Sequence, residues 1–317
     1  MDVIVLAGGF GTRLRPWTES IPKPLLPILD KSMIEHVLDV LPEPQVDRVL
    51  IAAGYGVDKL REHFEGISLP YEVVIVEEEE PLGTGGAIAN CREYLSGDTF
   101  CVINGDLITS LRVEEMLEFH TSNGGIATIS LWEVEDPSRF GVADYIEENG
   151  KIMRFQEKPP SEEAYSNLIN AGTYLLEHDI FDMMPDGAHS IERDVYEKIA
   201  ATGALNGFPF GGMFVDAGTP SSFIEASRAC ISSQRFSSGT VQGSSWHGVD
   251  SQCSGEAVGS SIGSGAIVAE GCIVRNSVIL EGAAIGPGCE LDGCLIGKGA
   301  TISAGTTLSA EIVDHHH

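Results

Sequence analysis

Short apolar, β-branched runs alternate with helix-period stretches along the first 233 residues of the chain. The helix-period stretches predict helices at residues 33–41, 57–64, 85–95 and 113–121, and the apolar runs predict strands at residues 3–7, 48–53, 72–76, 100–104 and 126–132. Strands that alternate with helices are typical of a mostly parallel sheet covered by helices on both faces. We therefore expect an α/β fold over residues 1–233, with ligands at the carboxyl ends of the strands.

The pattern changes after a Ser- and Gly-rich stretch at residues 237–248. Beyond it, apolar residues recur at every sixth position with two one-residue slips, at Ile262, Val268, Val274, Leu280, Ile285, Leu291, Ile296, Ile302 and Leu308. A six-residue period is typical of short strands that stack as a parallel β-helix. We expect a linker over residues 234–248, a β-helix over residues 249–312 and the remnant of an affinity tag over residues 313–317.

The composition restricts the classes of partner. The 317 residues include 47 acidic and 19 basic side chains, which gives a net charge of −28. Such a surface repels nucleic acids and anionic membranes, so neither is an expected partner. No apolar run reaches the roughly 18 residues of a membrane span, and no segment resembles a secretory signal. Seven Cys without metal-binding spacing are expected to be reduced thiols, which favours a cytoplasmic location.

A glycine-rich loop follows the first predicted strand and contains Gly8, Gly9 and Gly11, then Thr12 and Arg13. Glycines let backbone N–H groups approach a phosphate closely, and an arginine adds a planar fork of donors. The loop lacks the Gly-Lys-Ser/Thr ending of a Walker loop and the third glycine of a dinucleotide fingerprint. We predict a phosphate-binding loop of another kind; a glycine-rich turn without a ligand is the alternative.

Lys23 stands between two prolines, Pro22 and Pro24. Because proline restricts the backbone, this segment could hold one cation at a fixed place. Taken alone, such a lysine is more often an ordinary surface residue.

Together, these motifs resemble the signature of the sugar-1-phosphate nucleotidyltransferases. The similarity begins in residues 6–16 and 22–25 and continues, in order, through residues 104–106, 140–142, 157–159, 169–172 and 215–220. It implies a Rossmann-like catalytic domain, and the repeat tail resembles the left-handed β-helix that many members carry. Residues 78–86 are most similar to the mannose-1-phosphate guanylyltransferases, with Gly85-Gly86 where those enzymes often have Ala-Gly.

The resemblance implies condensation of a sugar 1-phosphate with a nucleoside triphosphate, release of pyrophosphate, and Mg²⁺ as cofactor. It implies that Asp106 and Asp216 bind the metal and that Arg13, Lys23 and Lys158 are the catalytic cations. The implied nucleotide-binding residues are Leu6, Ala7, Gly8, Gly9, Gly11, Thr12, Arg13, Lys23, Glu78 and Gly83. The implied sugar-phosphate-binding residues are Asn104, Gly141, Glu157, Lys158 and Asn170. Either aspartate alone could be an ordinary solvated residue, and Glu157 with Lys158 could be an exposed charge pair.

Glu78 bears on the choice of base. Guanine presents two adjacent donors that one carboxylate can accept, whereas thymine and uracil present one N–H between two carbonyls and match an amide better. The resemblance places Gln at this position in thymidylyl-type members. Glu78 is therefore predicted to favour GTP over dTTP and UTP, and the resemblance to the mannose-1-phosphate guanylyltransferases implies mannose 1-phosphate as the sugar phosphate. A solvated acidic run over residues 78–80 is the alternative.

Three other functions stay open at this stage. They are thymidylyl or uridylyl transfer to glucose 1-phosphate, acyl transfer by the repeat tail, and a non-catalytic regulatory subunit that binds a nucleotide-sugar. We also expect a homo-oligomer, formed in part through the β-helix, because the strand after Leu308 leaves backbone groups unpaired.

Overall fold

The computed structural model describes residues 1–315 of the chain. Two compact units divide them: the first comprises Met1–Gly9, Asp39–Gly105 and Thr109–Phe214, and the second comprises Phe10–Leu38, Asp106–Ile108 and the residues from Val215 onward. The α-helices are α1 (Trp17–Ser20), α2 (Met33–Leu38), α3 (Val57–Glu65), α4 (Gly83–Asn90), α5 (Val113–Asn123), α6 (Glu197–Ala200) and α7 (Pro220–Ser232). None of the helices within residues 1–315 is long and apolar enough to cross a membrane.

A first set of strands lies between the N-terminus and residue 216. These strands are β1 (Asp2–Leu6), β2 (Pro27–Ile28), β3 (Lys31–Ser32), β4 (Arg48–Ala53), β5 (Glu72–Glu77), β6 (Thr99–Asn104), β7 (Leu107–Thr109), β8 (Ala127–Glu133), β9 (Gly141–Ile146), β10 (Lys151–Glu157), β11 (Leu168–Glu177), β12 (Leu205–Pro209) and β13 (Phe214–Asp216). The strands and helices predicted from the apolar pattern are confirmed, with shifts of one to three residues at most ends. The largest difference is the predicted helix over 85–95, which ends at Asn90 and is followed by a 3₁₀ turn at Arg92–Tyr94.

The core of the first unit is a nine-stranded sheet with the order β5-β4-β1-β6-β11-β8-β12-β10-β9. Strands β5, β4, β1 and β6 are parallel, and Val3 in β1 pairs with both Val49 and Cys101. Val3 and its neighbours Ile4 and Val5 are fully buried, as expected for a strand that helices cover on both faces. Beyond β6 the sheet is mixed, because β11 runs antiparallel to both β6 and β8. The α/β fold is thus confirmed, and its parallel part carries the glycine-rich loop at the end of β1.

A second set of strands forms the β-helix. These strands are β14 (Thr240–Gln242), β15 (Ser245–His247), β16 (Gln252–Cys253), β17 (Glu256–Val258), β18 (Ser261–Ile262), β19 (Ile267–Val268), β20 (Ile273–Arg275), β21 (Val278–Ile279), β22 (Ala284–Ile285), β23 (Glu290–Asp292), β24 (Leu295–Ile296), β25 (Thr301–Ile302), β26 (Thr307–Ser309) and β27 (Ile312–Val313). From β15 onward they pair in parallel as three ladders, so the predicted β-helix is confirmed.

The register of the ladders corrects one predicted position. Ile262 pairs with Ile279, Ile279 with Ile296, and Ile296 with Val313, a constant step of 17 residues. The ladder position that the period assigned to Leu280 therefore belongs to Ile279, and the five-residue step falls before it. Two sides of each coil contain six residues and the third contains five. A strict six-residue period therefore places the residue after the five-residue side one position too late.

The strands also extend past both predicted ends of the β-helix. Strand β15 lies within the predicted linker over 234–248 and pairs with β18. Val313, assigned to a tag remnant, is buried in β27 and continues the first ladder. Of the other residues in that assignment, Asp314 and His315 are described, and His315 O accepts a hydrogen bond from Thr301 N at 2.7 Å. His316 and His317 lie outside the described residues. Helix α7 contacts β2 and β15, and so connects residues 10–38 with the β-helix inside the second unit.

Candidate functional site

Lys23, Asp106 and Asp216 converge on one point in the second unit. A Cβ on Gly218 would stand 2.8 Å from Asp216 Oδ1, 3.4 Å from Lys23 Nζ and 3.8 Å from Asp106 Oδ2. Lys23 Nζ donates a hydrogen bond to Asp106 Oδ2, and the two side chains form an ion pair. The space beside Gly218 is therefore lined by one cation and two carboxylates, and any larger residue at that position would fill it.

Local backbone structure places each of these side chains. Lys23 begins a 3₁₀ turn over Lys23–Leu25, directly after Pro22, and its carbonyl accepts a hydrogen bond from Leu26 N at 3.1 Å. Asp106 precedes β7, and Asp216 is the last residue of β13. A hydrogen bond from Ala217 N to Asp106 O, at 2.9 Å, joins the two carboxylate segments. The prolines thus fix the cation, and backbone pairing fixes the acids.

The second half of the glycine-rich loop packs against Lys23. Gly11 has a φ of +62°, and a Cβ there would lie 2.9 Å from Thr18 Cγ2 and 3.0 Å from Lys23 Cβ. Its carbonyl accepts hydrogen bonds from Leu14 N and Thr18 Oγ1, both at 2.9 Å. Arg13 is exposed and makes no ion pair with any of residues 1–315. A glycine is needed at position 11 both for its left-handed backbone and for this close packing.

The first half of the loop belongs to the parallel sheet of the first unit. Ala7 N donates to Ala52 O at 2.8 Å, and Leu6 pairs with Asn104 in the neighbouring strand. Gly105 N donates to Leu6 O at 2.9 Å. Gly9 is exposed, as is Thr12 further along the loop, so both are accessible to solvent.

Glu78 is buried against Gly8. Only 7% of Glu78 is exposed, whereas the next two residues, Glu79 and Glu80, are exposed. Glu78 Oε1 lies 2.8 Å from the position of a Cβ on Gly8, and Oε2 accepts a hydrogen bond from Leu82 N at 3.4 Å. Burial raises the pKa of the Glu78 carboxyl, and the Leu82 hydrogen bond opposes that rise.

Gly141, Glu157 and Lys158 are brought together by the pairing of β9 with β10, in which Gly141 is opposite Glu157. A Cβ on Gly141 would lie 2.4 Å from Phe155 Cζ and 2.9 Å from Glu157 Oε2, so that position accepts only glycine. Lys158 Nζ lies 3.1 Å from Glu157 Oε1, and the Glu157 side chain is 10% exposed. Burial raises the pKa of the Glu157 carboxyl above its usual value, and the hydrogen bond with Lys158 opposes part of that rise.

Lys158 also has an unusual backbone conformation, with a φ of +51°. This left-handed region is unfavourable for most side chains and is found most often where surrounding structure or function requires it. The Lys158 N–H donates to Phe140 O at 3.0 Å, which helps to maintain the conformation.

Asn170 lies in a hydrogen-bond network whose other members sequence reasoning missed. Its Nδ2 donates to Tyr174 Oη at 2.9 Å, and Tyr174 Oη in turn donates to Glu192 Oε1 at 3.5 Å. Thr84 Oγ1 and Ser190 Oγ each donate to Glu192 Oε2 at 2.6 Å. Burial raises the pKa of Tyr174 well above its usual range, so its hydroxyl remains a donor. The members are far apart in sequence, and no single motif contains them.

A loop around His189 fixes the start of α4. Gly83, with a φ of +70°, would place a Cβ 2.6 Å from His189 O, and that carbonyl accepts a hydrogen bond from Gly85 N at 3.0 Å. A Cβ on Gly85 would lie 2.3 Å from His189 Cδ2 and 2.4 Å from His189 Nε2. The imidazole thus occupies the place of a methyl group, which gives a steric reason for glycine at position 85.

Metal binding at this site would need oxygen atoms besides those of the protein. Within residues 1–315, no group of three or more His, Cys, Asp or Glu side chains is arranged to hold a metal ion. Asp106 and Asp216 supply two carboxylates beside Gly218. A Mg²⁺ ion commonly uses one or two protein carboxylates and completes its shell with substrate phosphates and water.

Comparisons with known families cover both parts of the chain. Residues 2–233 match the family described as Nucleotidyl transferase. Residues 230–316 match the family described as GlmU-like, C-terminal hexapeptide. Mannose-1-phosphate guanylyltransferase 1 of Arabidopsis thaliana is 37% identical over 289 residues, which cover 88% of this chain and 80% of that protein.

The similarity also extends to solved structures, over 71–72% of this chain. HddC from Yersinia pseudotuberculosis is 32% identical with a TM-score of 0.61, and the match covers 71% of this chain and 97% of that one. A structure of HddC complexed with GMP-PN is equally similar. A putative glucose-1-phosphate thymidylyltransferase from Bacillus anthracis, in complex with a sucrose, is 30% identical with a TM-score of 0.64, over 72% of this chain and 94% of that one.

Proposed function

This chain belongs to the nucleotidyl transferase family, and on that premise we propose that it condenses mannose 1-phosphate with GTP to give a nucleotide-sugar and pyrophosphate. The observation that carries the proposal is the convergence of Lys23, Asp106 and Asp216 beside Gly218. One cation and two hard carboxylates are the groups needed to bind a metal-complexed triphosphate. The Arabidopsis relative, whose name specifies mannose 1-phosphate and guanylyl transfer, supports the choice of substrates.

The reaction brings two anions together. An oxygen of the sugar phosphate attacks the α-phosphorus of the triphosphate, and the bond from that phosphorus to pyrophosphate breaks. Catalysis depends mainly on orientation and charge neutralisation. We assign to Arg13 and Lys23 the neutralisation of the leaving pyrophosphate, and to Lys158 the binding of the attacking sugar phosphate. The attacking phosphate is already ionised, so no side chain has to act as a general base.

Mg²⁺ fits the chemistry of the two carboxylates, and Asp106 and Asp216 would hold it. When bound, the ion would supply positive charge to the phosphate oxygens. Lys23 contributes a second positive charge at the same place, and its ion pair with Asp106 reduces the repulsion between the two acids.

The proposed role of the small residues in the loop is to let backbone N–H groups come close to the phosphates of the nucleotide. Glycine N–H groups can reach phosphate oxygens that a side chain would keep away. The proposed nucleotide contacts are Leu6, Ala7, Gly8, Gly9, Gly11, Thr12 and Gly83.

The sugar phosphate is assigned to the Gly141, Glu157 and Asn170 group, with Asn104 at the end of β6. Glu157 and Asn170 would bind sugar hydroxyls, and Gly141 would offer its backbone to the sugar, opposite Glu157 in the strand pair. The hydrogen bonds from Asn170 through Tyr174 to Glu192 would orient the Asn170 amide. Glu192 begins a π-helical segment, Glu192–Tyr196, a distortion found often at functional sites.

Guanine selection is assigned to Glu78. Its carboxylate lies beside Gly8, in the segment where we place the nucleotide, and a carboxylate can accept both N1–H and the exocyclic amine of guanine. The structure of HddC with GMP-PN supports a guanine nucleotide. Transfer of a thymidylyl or uridylyl group to glucose 1-phosphate is the second candidate, which the name of the Bacillus anthracis protein favours.

We also propose a homo-oligomer formed in part through the β-helix. Apolar side chains of residues 241–267 are exposed by 41–50%, and they would be covered in such an assembly: Val241, Val249, Val258 and Ile267. Sedimentation at several protein concentrations tests this point.

The decisive experiment is a matrix of pyrophosphate-release rates. GTP, dTTP, UTP and ATP are each combined with mannose 1-phosphate and with glucose 1-phosphate, for the wild type, Glu78→Gln and the matched exposed control Glu79→Gln. We expect the highest kcat/KM with GTP and mannose 1-phosphate, and a fall in the GTP-to-dTTP ratio of at least about tenfold in Glu78→Gln alone. Equal turnover of dTTP by the wild type contradicts the base assignment. No pyrophosphate from any pair contradicts the proposed function itself.

A further inference from the structure

We propose that the β-helix coil containing Val313 positions the glycine-rich loop through Trp17. Trp17 is the first residue of α1 and is 1% exposed. Its indole Nε1–H donates a hydrogen bond to Val313 O at 3.1 Å, across 296 positions of sequence and within the second unit. The inference rests on the proposed function, because it assigns a consequence for nucleotide binding to a contact remote from the nucleotide.

Trp17 is held in place from two directions. Its ring packs edge-to-face against Phe223 in α7, with centroids 5.9 Å apart and an interplanar angle of 83°. Its carbonyl accepts the hydrogen bond of Ile21 N at 3.0 Å. This packing orients the indole so that its N–H points at the Val313 carbonyl.

The Val313 carbonyl is fixed by the preceding coil. It accepts a second hydrogen bond from Gly297 N at 2.7 Å, and Val313 pairs with Ile296 in the parallel ladder. A buried indole donor without an acceptor is unfavourable, so Trp17 would shift if this carbonyl were lost.

A shift of Trp17 would reach the loop through the next residue. Thr18 Oγ1 donates to Gly11 O at 2.9 Å, and a Cβ on Gly11 would lie only 2.9 Å from Thr18 Cγ2. Gly11 in turn packs against Lys23. The contacts from Val313 through Trp17 and Thr18 therefore end at the proposed pyrophosphate-binding cation, and Trp17 is a positioning residue rather than a catalytic one.

Trp17→Phe is the first test, because it keeps an aromatic ring against Phe223 and removes only the donor. Trp246→Phe is the matched control: Trp246 is also 1% exposed and donates from Nε1 to a backbone carbonyl, Ser238 O, at 3.1 Å. In Trp17→Phe we expect KM for GTP to rise at least about fivefold while KM for mannose 1-phosphate changes less than about twofold. The control should leave both constants unchanged. A general loss of stability would raise neither KM selectively.

Removal of the chain from Glu311 onward is the second test, made in both the wild type and Trp17→Phe. If the two changes act through one hydrogen bond, their effects on KM for GTP will not add. Additive effects, or an unchanged KM in the truncated protein, would overturn the inference.

Hydrogen exchange in the ligand-free protein tests the same point without activity. In Trp17→Phe, the amides of Leu14 and Arg15, which close the loop by bonding to Gly11 and Thr12, should exchange at least about tenfold faster than in the wild type and the control. Unchanged exchange there overturns the inference, whichever nucleotide the protein uses. A wild type that releases no pyrophosphate would contradict the proposed function alone.

Discussion

Lys23 and Asp106 form an ion pair whose lysine side chain is only 13% exposed and whose carboxylate is 28% exposed. Partial burial weakens solvent screening, so this pair differs from the exposed pairs elsewhere on the protein. In a chain with a net charge of −28, this mostly buried lysine keeps a positive charge beside the two acids, where we propose that the anionic substrate binds with its metal ion.

Lys23→Gln is therefore expected to lower kcat/KM for the nucleotide by at least about 100-fold, since it removes a positive charge from the proposed transition state. Lys298→Gln is the control, because Lys298 forms a 2.8 Å ion pair with Glu281 in which both side chains are more than 60% exposed. It should change kcat/KM by less than about twofold. Steady-state pyrophosphate release measures both, and equal effects of the two variants would contradict the assignment.

The fold could be predicted from the sequence where the spacing of apolar residues follows directly from which side chains are buried. Val3 to Val5 are apolar on both faces of β1 because helices cover both faces, and the nine repeat positions are buried because the β-helix has one narrow core. The error at Leu280 arose because a period of six is an average over coils that contain a five-residue side. Both Ile279 and Leu280 are buried, so hydrophobicity alone does not distinguish them.

The site was predictable only in part, for a different physical reason. Motifs report residues that are close in sequence, so the loop, Lys23 and the two aspartates could be singled out. Glu192 and Tyr174 were missed because a hydrogen-bond network joins residues from different strands and helices. The roles of all these residues stay predictions, as does the cytoplasmic location.

Glu78 is expected to reduce stability at neutral pH. Burial raises its pKa above the usual 4.5, so the folded protein binds this proton more tightly than the unfolded chain does. The contribution of this tighter proton binding to the free energy of unfolding is present at low pH and is lost as the pH rises through the folded-state pKa. Glu78→Gln should therefore raise the denaturant midpoint at pH 7 and change it little at pH 4, whereas Glu79→Gln should do neither. A lower midpoint for Glu78→Gln at pH 7 would contradict this account.

Gly85→Ala is expected to destabilise the protein by about 1–3 kcal/mol, because the new methyl group would overlap the buried His189 imidazole. Gly97→Ala is the control, since the nearest atom there is Thr99 O at 3.8 Å. The double variant Gly85→Ala with His189→Ala should recover much of the loss. Urea unfolding of the wild type, Gly85→Ala, His189→Ala and the double variant gives the coupling energy, and strictly additive effects would show that the two residues do not compete for the same space.

Lys158→Asn separates the role of the ammonium from that of the backbone. Asn tolerates the left-handed conformation of this position, so the fold should be unaffected while the charge is lost. We expect KM for the sugar phosphate to rise by roughly tenfold or more, because the variant loses a charge-assisted hydrogen bond to the phosphate. KM for GTP should change little. The exposed Lys198→Asn is the control. A rise in KM for GTP alone would reverse the assignment.

The 17-residue step of the β-helix restricts how this part of the gene can change in length. Loss of a whole coil leaves every remaining pair in phase, whereas loss of one residue within a strand turns a buried side chain toward water. Insertions and deletions among natural variants should therefore come as multiples of a coil, or fall at the corners between strands. The indole of Trp17 adds a lower limit, since a tail shortened by one coil no longer supplies the carbonyl at position 313.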